Sequence, residues 1–306
     1  FPNSNRVVIM KIAVMGAGAV GCYYGAMLAR AGHDVTLIGR ETHVAAMNRD
    51  GLLLDFGSSQ EFVRVTGDTD AAGVAGSDMV LFCVKSTDTV DAGEQIKPFI
   101  SPDTIVLSLQ NGVDNAERLG AVLGQPVIPV VVYVATSMGG AGHVKHHGRG
   151  ELVIGPSAQS QMVVDTLVPA KIPVEISENA NGALRAKMIL NCAYNALSAI
   201  TQRPYGELVQ GVGVWDVMRS AVDECLTVAK ADGVTVSGDV WGAVEKIAET
   251  MPGQYSSTAQ DLARGKPSEI DYLNGYIVRK GKELGIATPT NLTLHALTKL
   301  QESKAP

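Results

Sequence analysis

The first half of the chain alternates short apolar runs with amphipathic stretches, whereas the second half carries only helical periods. Residues 7–15, 35–38, 79–84 (MVLFCV), 104–109 (TIVLSL) and 127–134 (VIPVVVYV) are apolar, β-branched runs of strand length. Such runs fit strands covered on both faces, as in a parallel sheet. Between them, 22–31, 87–97 and 114–123 read as helices. Two segments interrupt the alternation. Residues 52–66 read as a β-hairpin around Gly57-Ser-Ser59, and 143–155 as a second hairpin containing a turn at Gly148-Arg-Gly150. Beyond 173–176 strand signals vanish, and helices are predicted over 181–201, 212–232, 239–250, 255–264, 268–284 and 289–302. The expected architecture is α/β over residues 6–178, a mostly parallel, doubly wound sheet with β-hairpin insertions, followed by an all-α domain over 179–306. A chain of 306 residues exceeds one typical core, in keeping with two domains.

Gly16-Ala-Gly18-Ala-Val-Gly21 falls between the first strand and the first helix, and Gly32 can end that helix. Glycines in this setting let the backbone turn tightly and approach a pyrophosphate, which the free N–H groups of the helix start, at Ala19 and Val20, then hold. The adenosine ribose would lie at the end of the second strand, where sites for NAD carry an acid. This chain has Arg40 there, a fixed cation that attracts a 2′-phosphate and cannot accept from a hydroxyl. The first domain reads as a Rossmann-like NADP-binding domain, with NADPH as its cofactor.

Composition narrows the partners. A net charge of −6 argues against nucleic acid, because phosphate binding needs a cationic surface. Cys22, Cys83, Cys192 and Cys225 are far apart with no CxxC, which suggests neither a zinc site nor a disulfide framework and favours a reduced, cytoplasmic setting. The longest uncharged stretch, 119–142, is broken by prolines and glycines and reads as helix end, strand and loop, not as a membrane span. Phe1–Asn5 read as a leader outside the fold, without a signal-peptide layout. His143, His146 and His147 lack a matching Cys, Asp or Glu cluster, so no metal is expected. A homodimer, the commonest soluble assembly, is the oligomer to consider.

Candidate chemistry gathers at strand ends and on one helix. In doubly wound sheets, ligands bind beyond the carboxyl ends of the strands. Lys85 and Asn111-Gly112 fall there; each is equally readable as a plain loop residue. Within 181–201, Lys187, Asn191 and Asn195 are spaced i, i+4, i+8 and form a narrow polar stripe on a largely apolar helix. A stripe on a helix buried on most sides faces water, a partner or a ligand. Exposed faces usually carry Glu, Lys and Arg, and Asn is a poor helix former, which favours directed hydrogen bonding. Glu269 follows Lys266-Pro267-Ser268 at a predicted helix start, where a routine first-turn acid is an alternative reading. Ser256 and Ser257 could hold a carboxylate or simply cap a helix.

Taken in order, several blocks resemble the ketopantoate reductases (2-dehydropantoate 2-reductases) over residues 10–302. They are Lys11-Ile-Ala-Val-Met-Gly-Ala-Gly-Ala-Val-Gly21, Val84-Lys85, Gln110-Asn111-Gly112, Lys187-Met-Ile-Leu-Asn191, Asn195-Ala-Leu-Ser-Ala199, Ser256-Ser257 and Glu269-Ile-Asp-Tyr-Leu-Asn-Gly275. The resemblance implies NADPH-dependent reduction of a branched 2-oxo acid, namely 2-dehydropantoate to (R)-pantoate in pantothenate and CoA biosynthesis, in a cleft between the two domains. It implies Lys187 as general acid with Glu269 contacting substrate beside it. Asn191 and Asn195 would hydrogen-bond substrate, Ser257 would hold its carboxylate, and Asn111 and Lys85 would complete the site next to the cofactor. A free lysine, with a pKa of about 10.4, is a sluggish acid at neutral pH. Burial would make it more acidic, and Glu269 would oppose that shift while directing the ammonium. Gln254, Thr258 and Leu184-Arg-Ala depart from the family's usual residues near the distal end of the substrate. Two alternatives follow: a reductase of the same fold acting on a different 2-oxo acid, and a nonenzymatic NADP-binding regulatory protein.

Overall fold

The computed structural model describes residues 8–303, so the leader read at Phe1–Asn5 lies outside the described residues. They form two compact units. The first comprises the chain through Gln110 together with Asp114–Ala180. Its elements are β1 (Lys11–Met15), α1 (Ala19–Arg30), β2 (Asp34–Ile38), α2 (Glu41–Asp50), β3 (Leu52–Asp55), β4 (Gln60–Val63) and β5 (Thr66–Asp68). There follow β6 (Met79–Phe82), α3 (Thr89–Ile96), β7 (Ile105–Ser108), α4 (Asn115–Leu123), β8 (Ile128–Gly140), β9 (His143–Ile154), α5 (Ser160–Leu167) and β10 (Val174–Ile176).

The sheet order is β4-β3-β9-β8-β7-β6-β1-β2-β5, with β10 beside β9. From β5 through β8 every pairing is parallel, whereas β8–β9 and β3–β4 are antiparallel. Alternate residues of the central strands bury on opposite faces. Ile12, Val14, Met79, Leu81, Ile105 and Leu107 join α1 residues Tyr24 and Leu28 in one core. Ala13, Met15, Val80, Phe82 and Val106 join Ile96 and Leu119 in another. This double burial is why these strands read as uninterrupted apolar runs. The first strand begins only at Lys11, because its partner β2 begins at Asp34, and Val8 and Ile9 remain exposed.

The first hairpin is present. β3 and β4 pair antiparallel, and Asp55 accepts from the Gly57 amide at 2.8 Å inside the turn. Thr66, however, opens the separate edge strand β5, parallel to β2. The turn read at Gly148-Arg-Gly150 is absent. Reversal occurs between Gly140 and His143, and β9 runs straight through 148–150 as an irregularity, where pairing with β8 shifts around Tyr133/Val134 and Ala135/Thr136. Arg149 adopts φ +62° there, with its guanidinium 4.5 Å from the Tyr133 ring centroid. A Cβ at Gly150 would come within 2.9 Å of the Tyr23 hydroxyl, so that glycine serves close packing against α1 and not reversal.

The second unit comprises Asn111–Val113 and the chain from Asn181 onward. It holds α6 (Ala180–Thr201), α7 (Tyr205–Leu208), α8 (Val214–Ala231), α9 (Val240–Thr250), α10 (Ser257–Ala263), α11 (Asn274–Glu283) and α12 (Pro289–Glu302). Met188, Ile189, Cys192 and Ala193 of α6 share its core with Met218, Val222 and Val228 of α8, Val244 of α9 and Ile277 of α11. The short α7 has no counterpart in the predicted set.

The single helix predicted over 268–284 is broken. A 3₁₀ turn at Ile270–Tyr272 is followed by Leu273 at φ −112°, ψ −103°, and only then by α11. The reason is Asn274, fully buried, whose amide nitrogen donates to the Cys192 carbonyl at 3.1 Å and to Asn291 Oδ1 at 2.9 Å. Asn291 in turn donates to the Ala221 carbonyl (3.1 Å) and Glu224 (2.7 Å), and the Glu224 carboxylate accepts the Thr290 and Asn291 amides at the start of α12. An orphaned buried polar group costs about 1–3 kcal/mol. Asn291→Leu strands partners on two helices, α8 and α11, and should cost about 2–4 kcal/mol. Urea unfolding checks this as a lowered midpoint at unchanged slope.

Candidate functional site

In the first unit the glycine loop is stitched to its neighbours by backbone alone. The Gly16 and Ala17 amides both donate to the Ile38 carbonyl, at 3.1 and 2.9 Å, and the Cys83 amide donates to Met15 at 2.8 Å. Gly16 sits at φ +111°, and a Cβ there would come within 2.8 Å of the Cys83 and Val84 backbone. A Cβ at Gly21 would come within 2.2 Å of the Gly16 carbonyl oxygen. Gly18 is different: it is exposed, heads α1 without a side-chain cap, and a Cβ there would meet nothing within 4 Å. Two glycines therefore close the turn, and the middle one leaves open space before the unpaired N–H groups of Ala19 and Val20. No acid stands in the first turn of α1 to compete for that end.

The second strand delivers a cation to the same loop. Gly39 is pressed on Ala17, where an added Cβ would meet the alanine methyl at 2.5 Å. The next residue, Arg40, is exposed at the N-terminal cap of α2. An open backbone cradle with a cation at the end of the adjacent strand fits a phosphorylated dinucleotide. Cys22 and Cys83 flank the loop, and burial pushes the Cys22 thiol up to about 12 and Cys83 higher still, so both stay protonated.

Lys85 is half-buried after β6, at the cap of a short 3₁₀ turn, Ser86–Asp88. That turn rests on buried polar groups that sequence reasoning passed over. Gln110 donates to Thr89 Oγ1 (2.8 Å) and to the Val84 carbonyl (3.1 Å), and accepts from Ser108 (2.9 Å). Thr89 donates to Asn115 (3.1 Å), and Asn115 to Ser86 (3.0 Å). The available signal was a polar glutamine closing an apolar strand. This lattice fixes the loops that carry Lys85 and Asn111.

In the second unit, the stripe on α6 finds partners. Lys187 Nζ donates to Asn111 Oδ1 at 3.2 Å. Asn195, 2% exposed, reaches Ser257 Oγ at 3.4 Å. The two serines divide their roles. Ser256 caps α10 by accepting the Ala259 amide at 3.0 Å and donates to the Asn195 carbonyl at 3.2 Å. Ser257 is therefore released from capping and remains exposed beside Asn195. Asn191 is half-buried on the same stripe. Glu269, also half-buried, stands at the cap of the 3₁₀ turn and not in the first turn of an α-helix. Gln254 is exposed, with its amide donating to the Tyr255 carbonyl at 2.8 Å, whereas Thr258 is buried.

The three histidines are engaged locally. His143 pairs with Asp55 at 2.9 Å, His147 with Ser137 at 2.8 Å, and His146 stacks on Tyr23 with centroids 4.6 Å apart. Asp55 was the partner invisible at a separation of 88 residues. The Gly57 amide, then His143, hold the Asp55 carboxyl below its usual range. Among the described residues no three His, Cys, Asp or Glu side chains gather as a metal site, and no helix is long and apolar enough to cross a membrane.

A doubly wound sheet with an open glycine cradle, joined to a helical unit bearing a Lys/Asn stripe, defines an NADP-dependent oxidoreductase. Family comparison agrees: residues 12–159 match the family described as "Ketopantoate reductase PanE/ApbA", and 179–302 its C-terminal part. The chain belongs to the ketopantoate reductase family. A PanE/ApbA family ketopantoate reductase from Ralstonia eutropha JMP134 is 59% identical with a TM-score of 0.95, covering 97% of this chain and 99% of that one. The 2-dehydropantoate 2-reductase of Pyrococcus horikoshii is 33% identical over 96% of this chain and 98% of its own length. A D-mandelate dehydrogenase solved with NADH and anilino(oxo)acetate shares 26% identity and a TM-score of 0.89, covering 97% of this chain and 99% of its own.

The glycine geometry separates binding from folding. Gly18→Val should leave thermal unfolding unchanged yet weaken NADPH binding at least about tenfold, some 1.4 kcal/mol, by titration calorimetry. Gly21→Val should lower the melting temperature or prevent folding.

Proposed function

We propose that this chain reduces 2-dehydropantoate to (R)-pantoate with NADPH, using Lys187 as the proton donor. The observation that supports this most is the Lys187–Asn111 hydrogen bond, which joins the two candidate polar positions furthest apart in sequence logic, a helix stripe and a strand end. The first unit, with Gly16, Gly18, Ala19, Val20, Gly21, Arg40 and Lys85, is the cofactor-holding domain in this reading. When bound, NADPH supplies a hydride from its nicotinamide C4 to the keto carbon.

Negative charge then grows on the carbonyl oxygen, and a positioned cation lowers that barrier. The Lys187 ammonium has three N–H donors. Asn111 accepts one of them, which directs another toward the substrate oxygen. Proton transfer to that oxygen completes the 2-hydroxy acid and leaves a neutral amine, which regains its proton from solvent. Asn191 and Asn195 hydrogen-bond the substrate, and the freed hydroxyl of Ser257 holds its carboxylate. Glu269 contacts substrate beside Lys187 and orients it. Asn111 serves both sides of the reaction, next to substrate and next to cofactor.

One observation favours a second reading, a different 2-oxo acid. Gln254 turns its amide to its own neighbour's carbonyl, so the distal substrate end meets a different surface from the family's usual one. The likeness to a D-mandelate dehydrogenase makes an aryl oxo acid the natural competitor. A cytoplasmic setting is supported by four free cysteines, and a homodimer by its frequency among soluble assemblies.

NADPH oxidation at 340 nm is the test, with 2-dehydropantoate, 2-oxoisovalerate and phenylglyoxylate in parallel. Preference for the first is expected; preference for phenylglyoxylate transfers the assignment to the second reading, and inertness toward all three returns the nonenzymatic one. Lys187→Ala should lower kcat about 10²–10⁴-fold, the range of general acid catalysis, with NADPH binding retained. Turnover near that of the parent would remove Lys187 from the mechanism. Arg40→Ala should raise KM for NADPH about 10–100-fold, the worth of a charged hydrogen bond, and leave KM for NADH unchanged.

A further inference from the structure

Glu269 stands in an irregular stretch between α10 and α11, outside any regular helix. Its carbonyl accepts the Tyr272 amide at 2.9 Å. A carboxylate that acts at a set distance from a reacting centre has to be held by its surroundings. The last helix grips the residues on either side of it. His295, Lys299 and Glu302 lie at i, i+4 and i+7, one face of α12.

All three reach the residues flanking Glu269. His295 Nε2 meets Asp271 Oδ1 at 2.6 Å, and Lys299 Nζ meets Asp271 Oδ2 at 2.9 Å. Glu302 accepts the Ser268 backbone amide at 2.9 Å and also the Ser268 hydroxyl. Lys299 closes the chain by pairing with Glu302 at 2.6 Å. Ser268 is 2% exposed and its hydroxyl in turn accepts the Ile270 amide at 3.2 Å. Arg279 of α11 adds a bond to the Asp271 carbonyl at 2.7 Å. The glycine of the same motif has a place in this arrangement: a Cβ at Gly275 would lie 2.9 Å from His295 Nε2.

We infer that His295, Lys299 and Glu302 form a clamp that positions Glu269 by gripping Ser268 on one side and Asp271 on the other. The inference rests on the reading of Glu269 as a substrate-contacting residue. The three α12 residues are positioning residues, with no contact to substrate required of them.

The charge states suit a permanent device. Burial opposes ionisation of Asp271, yet hydrogen bonds from His295 and Lys299 outweigh it and hold its carboxyl below the usual range. Glu302 is likewise held low by Lys299 and Ser268 against burial, and Lys299 is held high by the two carboxylates. The carboxylates' contribution is present above their ordinary values and lost only as pH falls through the depressed ones. The lysine's is present below its ordinary value and lost only as pH rises through the raised one. The Asp271–Lys299–Glu302 part of the clamp is therefore closed throughout the neutral range.

The test is a double-mutant cycle on the full-length enzyme, with NADPH and the preferred oxo acid. Lys299→Met and Glu302→Gln should each lower kcat about tenfold, the scale of a small misplacement, while KM for NADPH stays unchanged. Lys299→Arg should retain most of the activity. In a Glu269→Gln background, Lys299→Met should bring no further loss, because the residue it positions is already disarmed. Losses that multiply instead would mark the α12 residues as merely structural and overturn the clamp. Full activity of Glu269→Gln alone would remove the role of Glu269 and the clamp with it. Should Lys299→Met fail to fold, Gly275→Ala, which displaces His295, must reproduce the same split between kcat and KM, or the inference falls.

Discussion

The burial of α6 is the constraint from which the helical unit follows. A helix covered on most of its surface draws hydrogen-bond partners to the polar groups it buries. The Cys192 carbonyl takes the Asn274 amide, the Asn195 carbonyl takes the Ser256 hydroxyl, and Tyr194 donates to Val244 at 2.7 Å. Arg185 pairs with Asp232 at 2.8 Å, and Lys187 with Asn111. Each bond recruits a different segment: α11, the cap of α10, α9, the end of α8, and the strand-end loop. The Lys/Asn stripe is thus one edge of a larger requirement, and one of the residues that satisfy α6, Asn111, is also a candidate site residue.

Much of this was legible in the chain. The central strands announced themselves because both faces are buried, and the glycine loop because Gly16 and Gly21 stand where backbone geometry admits so few substitutes. Lys187, Asn191 and Asn195 stood out because a helical period puts them in line. What escaped was decided at long range or by competing local meanings. Gly148 and Gly150 flank an arginine as turn residues would, yet Gly148 sits at a register shift in a long strand and Gly150 makes room for Tyr23. The helix predicted through 268–284 has an unbroken apolar stripe; its break at Leu273 is set by Asn274 bonding to residues 82 and 17 positions away. Glu224 heading α12 from α8, 66 residues earlier, leaves no local trace at all.

The two units solve opposite problems with glycine and asparagine. In the sheet unit, glycines remove side chains so that backbone can meet backbone, as Gly16 does against Cys83 and Val84. In the helical unit, asparagines supply both a donor and an acceptor where a helix must bond sideways. The polar lattice of Gln110, Thr89, Asn115 and Ser86 belongs to the second logic although it sits in the first unit, and it stands directly before the residue that partners Lys187.

That partner carries a consequence for heredity. Asn111–Val113 are contributed to the helical unit from the middle of the other unit's sequence, with Val113 packed into the helical core. A single crossover that exchanged the C-terminal halves of two related genes would transmit the lysine from one parent and its asparagine from the other. A hybrid keeps this hydrogen bond only where each parent supplies its half of the pair, so the apparent order of two modules in tandem does not by itself mark where the chain can be divided.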